Sequence, residues 1–229
     1  QTCGEPAGQS RQELLWLRQA ANAEQFEMLC NEAQRSLNLT EGPLLRALVI
    51  DMADGTQRLL LVIHHQVVDG VSWRILLEDL QAAYSRAGKN ETDILPGKTT
   101  SYQAWANRLQ SYAQEHADEL TYWQRLANTP ASLPKDNPQG PNSVLHQTSV
   151  TLRLDRTQTQ ALLKQAPAAY RTQVNDLLLT ALGSALCRWS GHEKILVDLE
   201  GHGREDLYAD IDLSHTVGWF TSLYPVALD

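Results

Sequence analysis

The chain has 229 residues and a formal net charge of −8, which allows one large domain or two small lobes but offers no basic surface for nucleic acid or an anionic membrane. Its cysteines, Cys3, Cys30 and Cys187, lie far apart without a CxxC pair, which argues against a disulfide framework or a zinc cluster. No apolar run approaches the ~18 residues of a membrane span and the N-terminus lacks the features of a signal peptide, so we expect a cytoplasmic protein.

The N-terminal part is predicted to form a helix followed by a β-hairpin. Apolar residues at helical spacing predict a helix over residues 11 to about 36, with a break near Asn22. Residues 44–51 and 57–65 are two predicted strands. The Asp-Gly pair between them is a strong short-range turn signal, so we expect an antiparallel hairpin.

The second strand of this hairpin leads directly into two histidines. The run LLLVI at 59–63 is short, apolar and followed by polar residues, which predicts a buried strand with His64 and His65 at its C-terminal edge. Adjacent strand residues point to opposite faces, so an imidazole of His65 that enters a cleft would leave His64 pointing into the fold. For either histidine alone, a purely structural role is the simpler interpretation.

A turn and a helix follow the histidines in the stretch HHQVVDGVSW. Asp69 and Gly70 predict a turn whose glycine can adopt a positive φ, and helical spacing continues to about Arg86. Strand, histidine pair, turn and helix together can aim a side chain into a cleft. A metal site built from both histidines and Asp69 is not expected, because strand neighbours point apart and no further cluster completes it.

The remaining chain is predicted to alternate between helices and strands. In chain order the patterns predict a polar loop through Lys98, a helix or helix pair over 101–127, a proline-rich linker over 128–144, an alternating strand over 146–155, a helix begun by Asp155 or Thr157, a helix near 173–190 and a strand over 194–200. The linker predicts two lobes, formed by residues 1–127 and 145–229. Mixed α/β architecture is the fold class that this order indicates.

The segment LEGHGRE follows the last of these strands and carries four ionisable side chains. Two glycines allow a tight backbone turn that exposes Glu200, His202, Arg204 and Glu205 at the strand edge. A carboxylate with imidazole and guanidinium neighbours is suited to acid/base chemistry. A solvated carboxylate at Glu200, and a local ion pair between Arg204 and Glu205, are the simpler alternatives.

A second unusual segment, HTVGWFTSLYPV at 215–226, gathers aromatic side chains around a glycine. Trp219, Phe220 and Tyr224 could wall a substrate channel. They could equally form an aromatic core strand.

Three motifs, HHQVVDGVSWRIL, LEGHGRE and TVGWFTSLYPV, resemble in this order and separation the motifs of epimerization domains of non-ribosomal peptide synthetases. These domains belong to the condensation-domain superfamily, which is related to chloramphenicol acetyltransferase. HHxxxDG alone is shared with condensation domains, whereas the order Val71-Ser72-Trp73 and the Glu200 segment are typical of epimerization domains. The resemblance covers nearly the whole chain.

The resemblance implies chloramphenicol-acetyltransferase-like α/β lobes arranged in a V, with the active site in a tunnel between them. Relative to the family pattern, the chain starts after the first strand and helix and stops after TVGWFTSLYPV, so we expect both lobes to be incomplete. No cofactor is expected in the domain itself, because a phosphopantetheine arm carries the substrate as an aminoacyl or peptidyl thioester. That arm belongs to a peptidyl carrier protein, and adenylation and condensation domains are the other implied neighbours.

The resemblance also implies roles for individual residues. His65 and Glu200 are expected to face each other across the tunnel, where each would exchange the α-proton or stabilise the enolate oxygen. The supporting residues at the site are expected to be His64, Asp69, Gly70, Ser72, Trp73, His202 and Arg204, and the tunnel-lining candidates are Trp219, Ser222 and Tyr224. In the family the motif aspartate pairs with an arginine, but the sequence does not identify that partner for Asp69.

Two other functions remain open at this stage. In a condensation-type acyltransferase, His65 would orient or deprotonate an attacking amine. A catalytically silent relative would instead only dock carrier domains or recruit partner enzymes.

Overall fold

A computed structural model describes residues 14–87 and 95–229. The chain divides into two compact units: residues up to Glu115 together with His202–Ser222 form unit 1, and His116–Gly201 with Leu223–Asp229 form unit 2. These bounds differ from the expected lobes 1–127 and 145–229. The difference arises because residues 202–222 hydrogen-bond to residues 69, 72 and 100 of unit 1.

Unit 1 contains a three-stranded sheet in the order β1-β2-β3. The strands are β1 (Leu15–Ala20), β2 (Leu45–Met52) and β3 (Gln57–Ile63). β1 runs parallel to β2, and β3 runs antiparallel to it. The hairpin predicted from the Asp-Gly pair is confirmed, with Gly55 at φ +81°.

The helix expected over residues 11–36 is not continuous. Its residues 11–13 lie outside the described residues, residues 15–20 form β1, and α1 spans Ala23–Arg35. The predicted break is real, because Asn22 is the N-cap and its side chain accepts a 2.9 Å hydrogen bond from the Gln25 N–H. A short apolar run is compatible with the periodicity of a helix or of a strand. Residues 15–20 form a strand because they pair with β2.

The core of the sheet lies between β2 and α1. Its buried members are Ala20, Ala33, Leu48 and Ile50. The strand LLLVI was expected to be buried, but the structure contradicts this: Leu59 is 50% exposed and the other four residues are only half-buried. β3 is an edge strand of the described sheet, so it has one strand neighbour where a central strand has two.

Two longer helices complete unit 1. α2 spans Gly70–Arg86 and α3 spans Tyr102–Glu115. The long helix or pair expected over 101–127 is a pair, because a 3₁₀ turn at Ala117–Glu119 separates α3 from α4 (Leu120–Leu126), which belongs to unit 2. The polar loop expected before α3 falls partly on residues 88–94, outside the described residues.

Unit 2 is mainly helical with a two-stranded sheet. Its further elements are α5 (Arg156–Gln160), a π-helical turn (Ala161–Gln165), α6 (Ala166–Tyr170), α7 (Val174–Ser190) and the paired strands β4 (Ile195–Gly201) and β5 (Ser222–Leu228). Asp155 is confirmed as the start of α5, where its carboxylate and Gln158 form a reciprocal capping box.

The strand expected over 146–155 does not form. Residues 147–155 form neither helix nor strand and pair with no other strand among the described residues, and Val150 and Leu152 are 89% and 92% exposed. Alternation predicts a strand only where a neighbour accepts its backbone hydrogen bonds. In a search of the described residues, no helix has the length and apolar character needed to cross a membrane.

The fold analysis predicts that Leu48 stabilises unit 1 strongly. Leu48→Ala should lower the free energy of unfolding by about 2–5 kcal/mol, because it removes fully buried methyl groups and leaves a cavity. Leu17→Ala, on the exposed side of β1, is the control and should change it by less than about 0.5 kcal/mol. Urea unfolding followed by circular dichroism measures both, and equal losses would contradict the assignment of this core.

Candidate functional site

The two histidines follow β3 and lie in a turn. His64 is half-buried and caps a 3₁₀ turn at His65–Val67, where its Nδ1 accepts a hydrogen bond from the Gln66 N–H at 3.2 Å. The expectation that two faces of a strand separate the imidazoles is therefore wrong, since β3 ends at Ile63. The local turn nevertheless gives His64 and His65 different environments.

The imidazole of His65 is exposed and contacts an aromatic side chain. Its ring lies edge-on to Trp219, with 5.5 Å between ring centroids and 67° between planes. Trp219 is itself 43% exposed. A histidine with an accessible ring is free to exchange protons with a bound molecule.

Asp69 is 4% exposed and is the N-cap of α2. Its Oδ1 accepts a hydrogen bond from the Ser72 N–H at 2.7 Å, and its Oδ2 accepts one from the Phe220 N–H at 3.1 Å. Gly70 begins the helix and does not adopt the positive φ that the Asp-Gly pattern suggested. Asp69 therefore links the start of α2 to the segment that contains Trp219.

Arg204 is the partner of Asp69. The Arg204 side chain is 8% exposed, and its Nη2 lies 3.3 Å from Asp69 Oδ1 and donates to Ser72 Oγ at 3.0 Å. The structure thus identifies the arginine partner that the sequence left open, and the expectation that the LEGHGRE turn exposes Arg204 is wrong. A local Arg204–Glu205 pair does not form in the structure; Glu205 Oε1 instead lies 3.6 Å from Nε2 of the exposed His202.

The guanidinium of Arg204 also holds the loop that precedes Trp219. Nη1 donates to the Leu213 carbonyl at 3.0 Å and to the Thr216 carbonyl at 2.7 Å. Its carbon lies 3.8 Å from the centroid of the Phe220 ring, in a cation–π contact. One buried cation therefore satisfies a carboxylate, a hydroxyl and two backbone carbonyls.

Gly203 allows the backbone to approach Phe220 closely. Its φ is +66°, and a Cβ at this position would collide with the carbonyl oxygen of Phe220. The glycine-assisted turn expected in LEGHGRE is present at this residue. It carries the chain from β4 of unit 2 into unit 1 and positions Arg204.

Ser72 ties α2 to Gly218. Its Oγ donates to the Gly218 carbonyl at 2.9 Å and accepts from the Gly218 N–H at 3.1 Å. A Cβ on Gly218 would strike the ring of Tyr102, so only glycine fits between this ring and Ser72. The hydroxyl of Tyr102 donates to the Trp219 carbonyl at 2.9 Å.

The environment of Asp69 favours its charged form. Burial raises the pKa of this carboxyl, but hydrogen bonds from Ser72 and the Phe220 N–H, together with the charge of Arg204, lower it further than burial raises it. The net pKa lies below the ordinary value. The carboxylate therefore contributes stability at neutral pH, and this contribution is lost as the pH falls through the depressed pKa.

The structure brings Asp69, Ser72 and Arg204 of unit 1 together and places Trp219 against His65. Trp73, also in unit 1, is half-buried in α2. Glu200 is exposed near the end of β4 in unit 2, and in β5 the exposed Ser222 belongs to unit 1 and the exposed Tyr224 to unit 2. Among the described residues, no three His, Cys, Asp or Glu side chains are placed to hold a metal ion.

Sequence reasoning missed several residues that hold the site. Tyr102, Thr216 and Gly218 lie far in sequence from the histidines, and Phe220 was considered only as part of a channel wall or of an aromatic core strand. The glycine of TVGWF was the one available signal, because a glycine among aromatic residues indicates close approach of the backbone to another group.

Removal of Arg204 should destabilise unit 1. Arg204→Met leaves a buried carboxylate without its cation, so the free energy of unfolding should fall by about 3–5 kcal/mol. Arg156→Met, on exposed helix α5, is the control and should have little effect. In denaturant titrations the double variant Asp69→Asn/Arg204→Met should lose less than the sum of the single changes, and strict additivity would refute the ion-pair explanation.

Gly203 should be more sensitive to substitution than another glycine of positive φ. Gly203→Ala introduces both backbone strain and a collision with the Phe220 carbonyl, whereas Gly55→Ala at φ +81° introduces strain alone, since its Cβ would meet no atom. We expect Gly55→Ala to cost about 1 kcal/mol and Gly203→Ala at least about 2 kcal/mol. Thermal unfolding of both variants compares them, and similar shifts would argue against the close approach.

Comparisons with known proteins agree with the expected family. The condensation-domain family model matches residues 11–229. One of the proteins that make up linear gramicidin synthase in Brevibacillus parabrevis is 50% identical over 210 residues, which is 90% of this chain and 3% of that synthase protein. The chain therefore spans only a small part of this relative.

Solved structures share the mixed α/β fold. The epimerization domain from the third module of tyrocidine synthetase B is 41% identical, with a TM-score of 0.78, and the match covers 94% of this chain and 51% of that one. An X-domain from teicoplanin biosynthesis, solved in complex with OxyB, is 22% identical with a TM-score of 0.68, covers 94% and 48% of the two chains, and supports the fold alone. The chain has the condensation-domain fold over about half of such a domain, and it belongs to the condensation-domain family.

Proposed function

We propose that this chain is part of an epimerization domain of a non-ribosomal peptide synthetase. Its reaction would invert the α-carbon of an aminoacyl or peptidyl thioester from the L- to the D-form. The observation that carries this proposal is the 41% identity and TM-score of 0.78 to an epimerization domain. The order Val71-Ser72-Trp73 and the segment around Glu200 favour the same choice within the family.

The reaction requires acid/base groups on both sides of the α-carbon. One group removes the proton, and another returns a proton to the opposite face of the planar, enolate-like intermediate. We assign these tasks to His65 and Glu200, whose side chains are both exposed in their own units. Each such group contributes roughly 10²–10⁴-fold to the rate, and a donor to the developing enolate oxygen would add a comparable effect.

The remaining site residues would serve this chemistry indirectly. Asp69, Ser72 and Arg204 are buried or nearly so and hydrogen-bonded to one another, so they hold the loop beside His65 in place. Ser222 and Tyr224 are the candidates for direct contact with the substrate, and Trp219, the third tunnel-lining candidate, borders the tunnel beside His65. They present exposed aromatic and hydroxyl groups.

The substrate would arrive covalently bound to a partner. We propose a peptidyl carrier protein domain whose phosphopantetheine arm holds the thioester, with adenylation and condensation domains as further neighbours. On this proposal the domain needs no cofactor of its own, because the thioester itself acidifies the α-proton.

Two alternatives are tested against this proposal. The family model is that of a condensation domain, so a condensation-type acyltransferase that forms a peptide bond is one candidate. A catalytically silent domain that only docks carrier domains or partner enzymes is the other. The presence of both His65 and Glu200 argues against a silent domain.

The decisive experiment follows loss of deuterium from the substrate. The full-length protein that contains this chain receives a carrier protein loaded with an α-deuterated L-aminoacyl thioester in ordinary water. We expect deuterium washout with formation of D-product, reduced roughly 10²-fold or more in His65→Ala and in Glu200→Gln. His192→Ala and Glu193→Gln change exposed residues just before β4 and are the matched controls, which should keep wild-type rates.

Other outcomes would select the alternatives. Amide formation with an added acceptor thioester, without washout, would refute epimerization and support condensation. Carrier binding with neither reaction would support a docking role. Full washout in Glu200→Gln would remove Glu200 from the proton path.

A further inference from the structure

We propose that Trp219 is a positioning residue for the imidazole of His65. The inference rests on the proposed function, because it is His65 that the proposal assigns to proton transfer. Trp219 would act by restricting the orientation of the imidazole, and the residues around Trp219 would in turn fix the indole.

His65 has little else to orient its ring. The imidazole is exposed, and within the described part of the chain it makes no hydrogen bond. The aromatic side chain that it contacts is Trp219, which it meets edge-on at 5.5 Å. Edge-to-face contacts of this kind are attractive and directional, so the indole selects among the rotamers that an exposed histidine would otherwise populate.

Burial does not account for the position of Trp219. The indole is 43% exposed, so much of its surface still faces water. The backbone on both sides of it, in contrast, is buried: Gly218 and Phe220 both lie in the interior. The loop is therefore anchored at its flanking residues, and these anchors present the tryptophan to His65.

Hydrogen bonds hold the backbone of the loop from the side of α2. Ser72 Oγ bonds both the N–H and the carbonyl of Gly218, at 3.1 and 2.9 Å. Asp69 Oδ2 accepts the Phe220 N–H at 3.1 Å. The residues before and after the tryptophan are thus attached to the segment that directly follows His65.

A further bond holds the loop from the side of α3. The hydroxyl of Tyr102 donates to the carbonyl of Trp219 itself at 2.9 Å, and the ring of Tyr102 packs edge-on against Phe220 at 5.0 Å. These contacts form a closed ring. The chain connects His65 to Asp69, which accepts a hydrogen bond from the Phe220 N–H. Trp219, the neighbour of Phe220, contacts His65. A closed path of short contacts restricts the relative movement of the two rings.

The proposal predicts an effect on the rate and not on substrate affinity. A misplacement of about 1 Å in a reacting group can cost roughly 10²-fold. Trp219→Ala should therefore lower kcat of epimerization by about 10- to 10²-fold with KM little changed. Trp219→Phe keeps an aromatic ring and should recover most of the rate, and Tyr102→Phe, which removes only the hydroxyl, should lower kcat less than Trp219→Ala.

A second readout does not depend on catalysis. In the full-length protein with isotopically labelled histidine, the ring C–H signals of His65, assigned by their loss in His65→Ala, should move in Trp219→Ala because the ring current of the indole is lost. Trp219→Phe should leave them between the two positions. Trp189→Ala, an exposed tryptophan at the end of α7, is the control and should leave the signals unchanged.

The two readouts separate this inference from the proposed function. Unchanged His65 signals in Trp219→Ala would overturn the positioning role whatever the activity. A raised KM with unchanged kcat would also overturn it, since it would indicate direct substrate binding by Trp219. If the wild-type protein shows no epimerization while the signals move as expected, the contact stands and the proposed function fails. Should Trp219→Ala not fold, Trp219→Phe and Tyr102→Phe are compared by the same two measurements.

Discussion

The buried ion pair between Asp69 and Arg204 is the interaction on which unit 1 depends. Two charges removed from water are costly unless most of their remaining hydrogen-bonding groups find partners. Asp69 obtains them from the start of α2 and from Phe220. Both Nη atoms of Arg204 obtain them from Ser72 and the carbonyls before Trp219, whereas its buried Nε makes no hydrogen bond among the described residues. The pair therefore joins the segment after the histidines to residues more than a hundred positions later.

This pairing also explains why residues 202–222 return to unit 1. The turn at Gly203 directs Arg204 inward, and the loop beyond it is bound by Thr100 and packs its aromatic and aliphatic side chains on α3. Burial of Phe220 and Leu213 against Trp105 adds the apolar contribution to a segment otherwise held by polar contacts. The ion pair determines which segments meet, and the burial of these apolar side chains stabilises the folded unit.

Local chemistry was predictable wherever a cap or a turn acts on its own neighbours. The break at Asn22, the hairpin at Gly55 and the capping box at Asp155 all follow from interactions that span a few residues. The prediction was wrong where the answer needed a distant partner. Residues 15–20 became a strand because β2 was available for pairing, and 147–155 did not pair because no neighbour was present among the described residues.

The sequence by itself determined the family, the mixed α/β class and the residues that carry ionisable groups. These features depend on motifs and periodicities among residues that are close together in the chain. Only the tertiary structure decided that Arg204 neutralises Asp69, that Ser72 binds Gly218 and that Trp219 meets His65. These contacts join residues separated by long stretches of chain. Their geometry depends on how the intervening helices pack, which no local pattern encodes.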